Sequence, residues 1–351
     1  MNDKAEGALF GLAVGDALGS TLEFSDPDEY PDFPTLMTGP LTEMVGQGPF
    51  HLQPGQVTDD TMMALCLSSS LVANNKLDLT DVRARYRNWV GLTHDAGRLT
   101  KLALKTSGEA AWEKSGRTSS GNGSLMRCTP IGVFFYLEPK ALISASIWDS
   151  CLTHMDPRCA LACAAHNSAI AEAVLLPTVT AENMYKAAKH GLAQGAARYK
   201  RVFPEYELEL KAAVRDLTED LKMAAETDPL LYDFSAKFSA SDLTEAFSEE
   251  MDNVPGLAIT GSGMGFVRVA FRLAFWELLH AHSFEAGLLD VVNRGGDSDT
   301  NGAIAGSLLG SLYGYSAIPP RWIQTVLECR PGGPFDTIYH PKEFINLLNL
   351  L

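Results

Sequence analysis

The sequence has little of what marks secreted, membrane or nucleic-acid-binding proteins. Its six cysteines are scattered and show no paired framework, which predicts a reduced protein in the cytoplasm. The opening residues lack the basic region of a signal peptide, and no apolar run approaches the roughly 20 residues that span a bilayer, so we expect no membrane association. Basic residues number 28 against 43 acids, and the net charge of -15 makes nucleic acid an unfavoured partner.

The acidic excess is concentrated in residues 205–252. This segment contains fourteen acidic and only four basic side chains. The pattern is typical of a solvated helical surface, and a docking surface for a basic partner is the alternative. No low-complexity linker divides the chain, so we predict a single domain over residues 1–351, in which 205–252 is an acidic segment open to variation.

Strand patterns are also scarce. Few stretches alternate apolar and polar residues, and no run of strand-plus-helix units is present. Instead, apolar residues recur three and four positions apart in several long stretches, of which the clearest are 61–74, 159–176, 181–199 and 266–282. The sequence therefore predicts one all-α domain.

Glycines recur at every fourth position in two apolar stretches. The first stripe is Gly7, Gly11, Gly15 and Gly19, and the second is Gly302, Gly306, Gly310 and Gly314. Residues four apart lie on one face of a helix, and each interior glycine costs about 1 kcal/mol relative to alanine. This cost is offset where the bare face admits another backbone. We therefore predict two central helices that pack closely against their neighbours or against each other.

Two carboxylates and a threonine occur together at two predicted helix starts. The sets are Thr58, Asp59 and Asp60, and Asp297, Asp299 and Thr300; Asp16 and Glu23 lie in or just after the first striped helix. Each set alone is explained by helix capping, because threonine N-caps and acidic first turns stabilise helix starts. If the two starts met, four carboxylates within a few ångströms would need a compensating charge. A pair of divalent cations such as Mg²⁺, which prefers oxygen ligands, would supply it.

Five motifs resemble, in order, those of the ADP-ribosylglycohydrolase family. They are GALFGLAVGDALGSTLEF from Gly7, VTDDTMMA from Val57, GNGSLMR from Gly121, THMDPRC from Thr153 and NRGGDSDTNGAIAGSLLGSLYG from Asn293. The resemblance covers most of the chain and implies a compact orthogonal multi-helix domain with a dinuclear Mg²⁺ or Mn²⁺ centre. It also implies hydrolysis of the bond between ADP-ribose and a modified protein side chain, most often arginine.

The resemblance assigns roles to individual residues. The implied metal ligands are Thr58, Asp59, Asp60, Asp297, Asp299 and Thr300, with Asp299 between the ions. Glu23 and Asp60 are the implied candidates for the general base. The implied substrate contacts are Asp95, then Gly121, Asn122, Gly123, Ser124 and Met126 in a diphosphate loop (Gly121–Arg127), then His154, and Gly263 and Phe266 near the ribose.

Other functions and one other metal site stay open at this point. The protein could instead be an immunity protein that neutralises a partner ADP-ribosyltransferase by direct blockade, with or without hydrolysis. The ligand motifs also do not separate arginine linkage from O-linked or nucleic-acid-linked ADP-ribose. A zinc site is a further alternative, and its ligands would be His154, Cys159, Cys163 and His166. The small apolar residues around them favour a packed helix instead.

Overall fold

Helices dominate the computed structural model, which describes residues 2–25, 41–93, 96–225 and 263–351. Fifteen α-helices occur within these residues, and short 3₁₀ turns connect several of them. The described residues contain no sheet, and their β-type pairings are two isolated bridges, Gln47 with Leu52 and Gly121 with Phe266. The prediction of an all-α fold is therefore confirmed.

We number the helices in chain order. They are α1 (Asp3–Gly19), α2 (Asp59–Asn74), α3 (Leu79–Val90), α4 (Arg98–Lys105), α5 (Gly108–Lys114), α6 (Thr129–Phe134), α7 (Pro139–Cys151), α8 (Pro157–Leu175), α9 (Ala181–Val202), α10 (Glu207–Ala225), α11 (Val267–His280), α12 (Phe284–Asn293), α13 (Ser298–Tyr313), α14 (Pro320–Glu328) and α15 (Ile345–Leu348). The four clearest periodic stretches of the sequence correspond to α2, α8, α9 and α11. None of the helices described here combines the length and the apolar character that crossing a bilayer requires.

Helices α1 and α13 form the centre of the fold and pack against each other in antiparallel directions. Three glycine pairs line the contact: Gly7 with Gly310, Gly11 with Gly306, and Gly15 with Gly302. A Cβ atom on any of these residues would overlap the backbone carbonyl of its partner. The two stripes therefore pack against each other, which is one of the two arrangements that the sequence predicted.

This packing brings the end of α1 and the start of α13 together. Gly19 faces Ser298 there, and the Ser298 hydroxyl donates a 2.7 Å hydrogen bond to the Gly19 carbonyl. Helix α1 is buried continuously over residues 7–19, and α13 over 298–311, because α2, α6, α8, α11 and α12 surround them. Polar residues at the end of α1 and at the start of α13 therefore lie close together in one buried region.

The acidic helix α10 is attached to its neighbours through buried ion pairs. Asp220 is fully buried and accepts hydrogen bonds of 2.7–3.0 Å from Arg268 and Arg272 of α11. Asp216 is also buried and pairs with Arg158 of α8 at 2.8 Å. These two carboxylates therefore differ from the predicted solvated surface, because their arginine partners come from distant parts of the chain. The acidic segment beyond α10 lies outside the described residues.

Helix α8 places a buried histidine against α13. His166 is fully buried, and its Nε2 lies 3.0 Å from the Ser307 hydroxyl. Burial lowers the pKa of His166 from 6.5 to about 3, so the imidazole is neutral near pH 7.

One methyl group added to the central glycine contact should destabilise the protein. In Gly306→Ala the new Cβ would overlap the Gly11 carbonyl oxygen, so the two backbones must separate. We expect the free energy of unfolding to fall by about 3 kcal/mol, despite a gain of roughly 1 kcal/mol in helix propensity. Urea unfolding followed by circular dichroism measures the change. Gly91→Ala is the matched control, because a Cβ there meets nothing closer than 3.5 Å. Equal losses in both variants would contradict close packing at Gly306.

The neutral His166 should make the protein sensitive to acid. An unfolded histidine gains its proton near pH 6.5, whereas folded His166 stays neutral until about pH 3. The stability that follows from this difference is complete above pH 6.5 and is lost as the pH falls. The loss is about 1 kcal/mol between pH 7 and pH 5.5. The free energy of unfolding of the wild type and of His166→Asn at both pH values measures this difference, and parallel losses would rule it out.

Candidate functional site

Asp16, near the end of α1, holds the first turn of α2. Its buried carboxylate accepts hydrogen bonds from the backbone amides of Thr58 and Thr61 at 3.0 and 3.1 Å, and from the Thr61 hydroxyl at 2.5 Å. Burial raises the pKa of Asp16 to about 6, although these hydrogen bonds oppose the shift. A residue of α1 therefore takes the capping role that the local sequence assigned to Thr58.

Because Asp16 caps α2, the Thr58 hydroxyl makes no capping hydrogen bond. It donates to Asp60 Oδ2 at 3.0 Å and lies 3.5 Å from Asp299 Oδ2. Asp60 belongs to the first turn of α2, and Asp299 belongs to the first turn of α13. The two acidic helix starts therefore meet in space, which is the condition for a shared site.

Three carboxylates form the centre of this site, and we call them the carboxylate cluster. Oxygen atoms of Glu23, Asp297 and Asp299 lie within 4.8 Å of one another, the one such group of three potential metal ligands in the described residues. Glu23 and Asp299 are buried, whereas Asp297 is half-buried. Burial holds the pKa of Asp299 well above its ordinary range, and the charges of Glu23, Asp60 and Asp297 raise it further. Positive charge is therefore required if these carboxylates are to be ionised together.

Backbone hydrogen bonds join the segment after α1 to the segment before α13. Phe24 donates to the Gly296 carbonyl at 2.6 Å, and Gly296 donates to the Ser25 carbonyl at 3.0 Å. Gly296 has a φ of 67°, a conformation that glycine adopts without a steric cost. This pairing places Glu23 and Asp297, which flank it, in the same cluster.

The donor set suits hard divalent cations. The groups that meet are carboxylate and hydroxyl oxygens, which Mg²⁺ and Mn²⁺ prefer, and the starts of α2 and α13 point toward them. Asp59, the first residue of α2, is half-exposed beside the buried Asp60. The Thr300 amide donates to Asp299 Oδ1 at 2.8 Å, and its hydroxyl lies 4.0 Å from Met126 Sδ. Of the four predicted carboxylate ligands, Asp297 and Asp299 belong to the group of three, whereas Asp59 and Asp60 lie outside it.

The diphosphate loop lies directly beside the cluster. Its residues Asn122–Ser124 form a 3₁₀ turn, and Asn122 Nδ2 donates to Asp297 Oδ2 at 2.7 Å. His154 packs directly against the loop, since a Cβ on Gly123 would lie 2.9 Å from His154 Cε1. Glycine at position 123 is therefore needed for packing against the histidine, in addition to the substrate contact that the resemblance implies there.

The turn that contains Gly263 and Phe266 is joined to the same loop. The Phe266 amide donates to the Gly263 carbonyl at 2.9 Å, and Phe266 pairs with Gly121 in an isolated bridge. The Asn122 amide donates to the Gly265 carbonyl at 3.0 Å. The two predicted ribose contacts and the predicted diphosphate contacts therefore belong to one connected surface.

A buried arginine, Arg127, contacts the diphosphate loop from the interior of the protein. Arg127 is fully buried, pairs with Asp149 at 3.1 Å and donates to the Gly123 carbonyl at 3.3 Å. Its guanidinium lies 4.5 Å from the centre of the Tyr86 ring. Burial, with the charge of Arg127, lowers the pKa of His154 to about 3, so the imidazole that contacts the loop is neutral. Arg127 therefore acts on the loop from inside the protein.

The remaining predicted substrate contacts have different positions. The Ser124 hydroxyl is fully buried and accepts from Ser150 at 2.9 Å, and Met126 is buried against Thr300. Both residues are buried, so neither side chain is placed to meet a ligand. Asp95 lies outside the described residues.

The alternative zinc site does not form. The thiols of Cys159 and Cys163 donate to residues of the diphosphate loop at 3.2 and 3.7 Å, while His166 contacts α13. All six cysteines are free and buried. These side chains therefore have separate partners and share no common centre.

Two residues that organise the site were not given a role from the sequence. Asp16 caps α2, and Asp149 holds Arg127 in place through the ion pair described above. Both are carboxylates inside apolar helices, and such residues are rarely buried without a partner. A carboxylate inside an apolar helix therefore indicates that a partner is present. The sequence does not identify that partner, because it comes from elsewhere in the chain.

Comparison with known proteins gives consistent matches. The sequence model of the ADP-ribosylglycohydrolase family matches residues 1–344. The chain is 28% identical over 337 residues to "ADP-ribosylarginine hydrolase Tri1" of Serratia proteamaculans, covering 93% of this chain and 76% of the relative. It is 27% identical over 331 residues to "ADP-ribosyl-[dinitrogen reductase] glycohydrolase" of Rhodospirillum rubrum, covering 92% and 90%. A solved "ADP-ribosylglycohydrolase-related protein complex" is similar with a TM-score of 0.67 and 25% identity, covering 99% of this chain and 98% of the other.

Removal of the Asp16 carboxylate should destabilise the protein and weaken cation binding. Asp16→Ala leaves two amides and a hydroxyl at the start of α2 without their acceptor, so the Thr58 hydroxyl must turn back to cap the helix. We expect the free energy of unfolding to fall by about 2–4 kcal/mol and Mg²⁺ to bind at least about tenfold more weakly in calorimetry.

A surface cap provides the control for this variant. Asp78 caps α3 through the amides of Thr80 and Asp81, far along the chain from the carboxylate cluster. Asp78→Ala should cost about 1 kcal/mol and leave Mg²⁺ binding unchanged. Normal Mg²⁺ binding in Asp16→Ala would show that Asp16 does not position the site.

Proposed function

The chain belongs to the ADP-ribosylglycohydrolase family, and on this premise we propose that it is a metal-dependent hydrolase that releases ADP-ribose from modified arginine side chains of a protein. The observation that carries the proposal is the meeting of the two acidic helix starts, with Thr58 Oγ1 3.5 Å from Asp299 Oδ2. The printed names of the Serratia and Rhodospirillum relatives, which specify ADP-ribosylarginine and a modified dinitrogen reductase, support arginine linkage and a protein target.

We assign two Mg²⁺ or Mn²⁺ ions to the carboxylate cluster and its surroundings. The proposed ligands are Thr58, Asp59, Asp60, Asp297, Asp299 and Thr300. When bound, the ions supply the positive charge that lets the carboxylates be ionised together and that acidifies a neighbouring water molecule. Asp299 has the central position among these residues, because the charges of Glu23, Asp60 and Asp297 all act on it.

The carboxylates also have a proposed role in bond cleavage. Cleavage of a glycosidic bond passes through an oxocarbenium-like state with positive charge on the ribose ring. Fixed carboxylates next to the ring stabilise this charge without having to reorganise. The bond between the anomeric carbon and the guanidine nitrogen breaks, its electron pair leaves with the arginine, and water forms the new C–O bond. This water must lose a proton, and Glu23 and Asp60 are the proposed acceptors because both lie close enough to Asp299 to raise its pKa. The proton then passes to the departing guanidine, which is released as guanidinium.

The diphosphate loop is proposed to orient the substrate. Asn122 joins this loop to Asp297 through a 2.7 Å hydrogen bond, so a ligand held by the loop has a fixed position relative to the cluster. Backbone amides suit anionic oxygens, and the neutral His154 beneath the loop adds no charge of its own. The loop would therefore place the terminal ribose over the carboxylates.

Hydrolysis is favoured over blockade of a transferase. A protein that only covers another protein has no need of a buried carboxylate cluster whose charges oppose one another. An ADP-ribosyltransferase that modifies the same target is the proposed opposing enzyme. Six free, buried cysteines support a reducing, cytoplasmic location.

Removal of divalent cations should abolish the activity. We expect the wild type with Mg²⁺ to release ADP-ribose from an arginine-modified protein, and EDTA to stop the release until Mg²⁺ is restored. Asp299→Asn should lower kcat/KM by a factor of about 100 or more, because it removes charge from the centre of the cluster. Chromatography of released ADP-ribose measures both effects.

An exposed acid provides the control for this substitution. Glu219→Gln, on the exposed face of α10, should retain normal release. Parallel assays with serine-linked and nucleic-acid-linked ADP-ribose test the linkage. Faster release from either of these, or release that EDTA does not affect, would contradict the proposed function. Inhibition of a transferase without any release would identify a blocking protein.

A further inference from the structure

An exposed aromatic pair lies at the edge of the carboxylate cluster. The side chains of Phe24 and Phe50 are 52% and 37% exposed, and their ring centres are 6.2 Å apart at an interplanar angle of 70°. The other large hydrophobic residues exposed in the described part of the chain are six leucines and one isoleucine. The two exposed phenylalanines therefore contact each other, and exposed apolar groups that cluster often mark a contact surface.

The backbone holds Phe24 outward while its neighbour points inward. Phe24 has a φ of 61°, a conformation that bulky residues rarely adopt, and its amide is bonded to the Gly296 carbonyl. Glu23 is buried in the cluster, so consecutive side chains diverge at this point. Phe24 is therefore fixed one residue from Glu23 and beside the residue that precedes Asp297.

Phe50 belongs to a turn that is attached to the end of α1. The backbones of Gln47 and Leu52 exchange hydrogen bonds of 2.7 and 2.8 Å across this turn. The Thr21 hydroxyl donates to the Gly46 carbonyl at 3.0 Å, and a Cβ on Gly48 would overlap the backbone carbonyl of the residue that follows α1. Both rings are thus carried by segments anchored next to the cluster.

We propose that Phe24 and Phe50 bind the modified arginine itself, by apolar contact with its methylene stem and by cation–π contact with its guanidinium. This inference rests on the proposed function and adds the residues that recognise the leaving group. A guanidinium on an apolar stem matches an aromatic surface next to excess negative charge. A serine linkage and a nucleic-acid linkage offer neither the methylene stem nor the guanidinium.

Steady-state kinetics with an ADP-ribosylarginine peptide test the inference. The variant Phe24→Ala/Phe50→Ala should raise KM about tenfold, whereas the inhibition constant of free ADP-ribose should change less than about twofold, because ADP-ribose lacks the arginine. Phe24→Leu keeps an apolar side chain without an aromatic face and should raise KM about threefold. Leu208→Ala, which removes an exposed apolar side chain from α10, should change neither constant.

Each contrary outcome has a distinct meaning. A KM that stays within about twofold of the wild type would overturn the inference, since the rings would then make no contact with arginine. Equal increases in KM and in the inhibition constant of ADP-ribose would overturn it too, because the rings would then contact the ADP-ribose. An equal increase in KM for a serine-linked peptide would overturn the recognition of arginine. A wild type that releases no ADP-ribose contradicts the proposed function, and the inference falls with it before any variant is compared.

Discussion

The direct contact between the backbones of α1 and α13 determines where the chemistry of this protein lies. Glycine faces glycine along the contact, so the helices are held at a distance that no side chain sets. One end of this contact contains Asp16 and the start of α13. Asp16 accepts hydrogen bonds from the first turn of α2 and so holds that turn at the same end of the contact. The separation of the two acidic helix starts therefore depends on a backbone contact deep inside the fold. Close packing at that contact also holds the carboxylate cluster rigidly in place.

The site concentrates more negative charge than its surroundings balance. The positive ends of α2 and α13 point toward it, and each is equivalent to only about half an elementary charge. Burial keeps the pKa values of Asp16, Asp297 and Asp299 above their ordinary ranges. Groups arranged in this way favour a neutral form or a bound cation, and they cost stability when neither is available. The arrangement is therefore understandable as a binding site and hard to explain as a structural device.

Local patterns in the sequence were sufficient for the four clearest helices and for close packing at the glycine stripes, but they left open whether the two stripes pack against each other. The spacing of apolar residues three and four positions apart located α2, α8, α9 and α11, because a helix that buries one face carries apolar residues at that spacing. The identity of the α2 cap could not be predicted in this way, since Thr58 is a reasonable cap until Asp16 competes for the same amides. The burial of Asp220 is a similar case, because its arginine partners lie more than forty residues away. Sequence patterns report each residue's own neighbourhood, whereas these contacts depend on the completed fold.

The ion pairs around Asp220 have a consequence for the turn at residues 263–266. Arg268 and Arg272 share this one carboxylate, so the first two turns of α11 are fixed directly to α10. The turn immediately precedes α11, and it bonds to Gly121 and Asn122 of the diphosphate loop. A buried ion pair on the acidic helix therefore helps to align two backbone segments that border the carboxylate cluster.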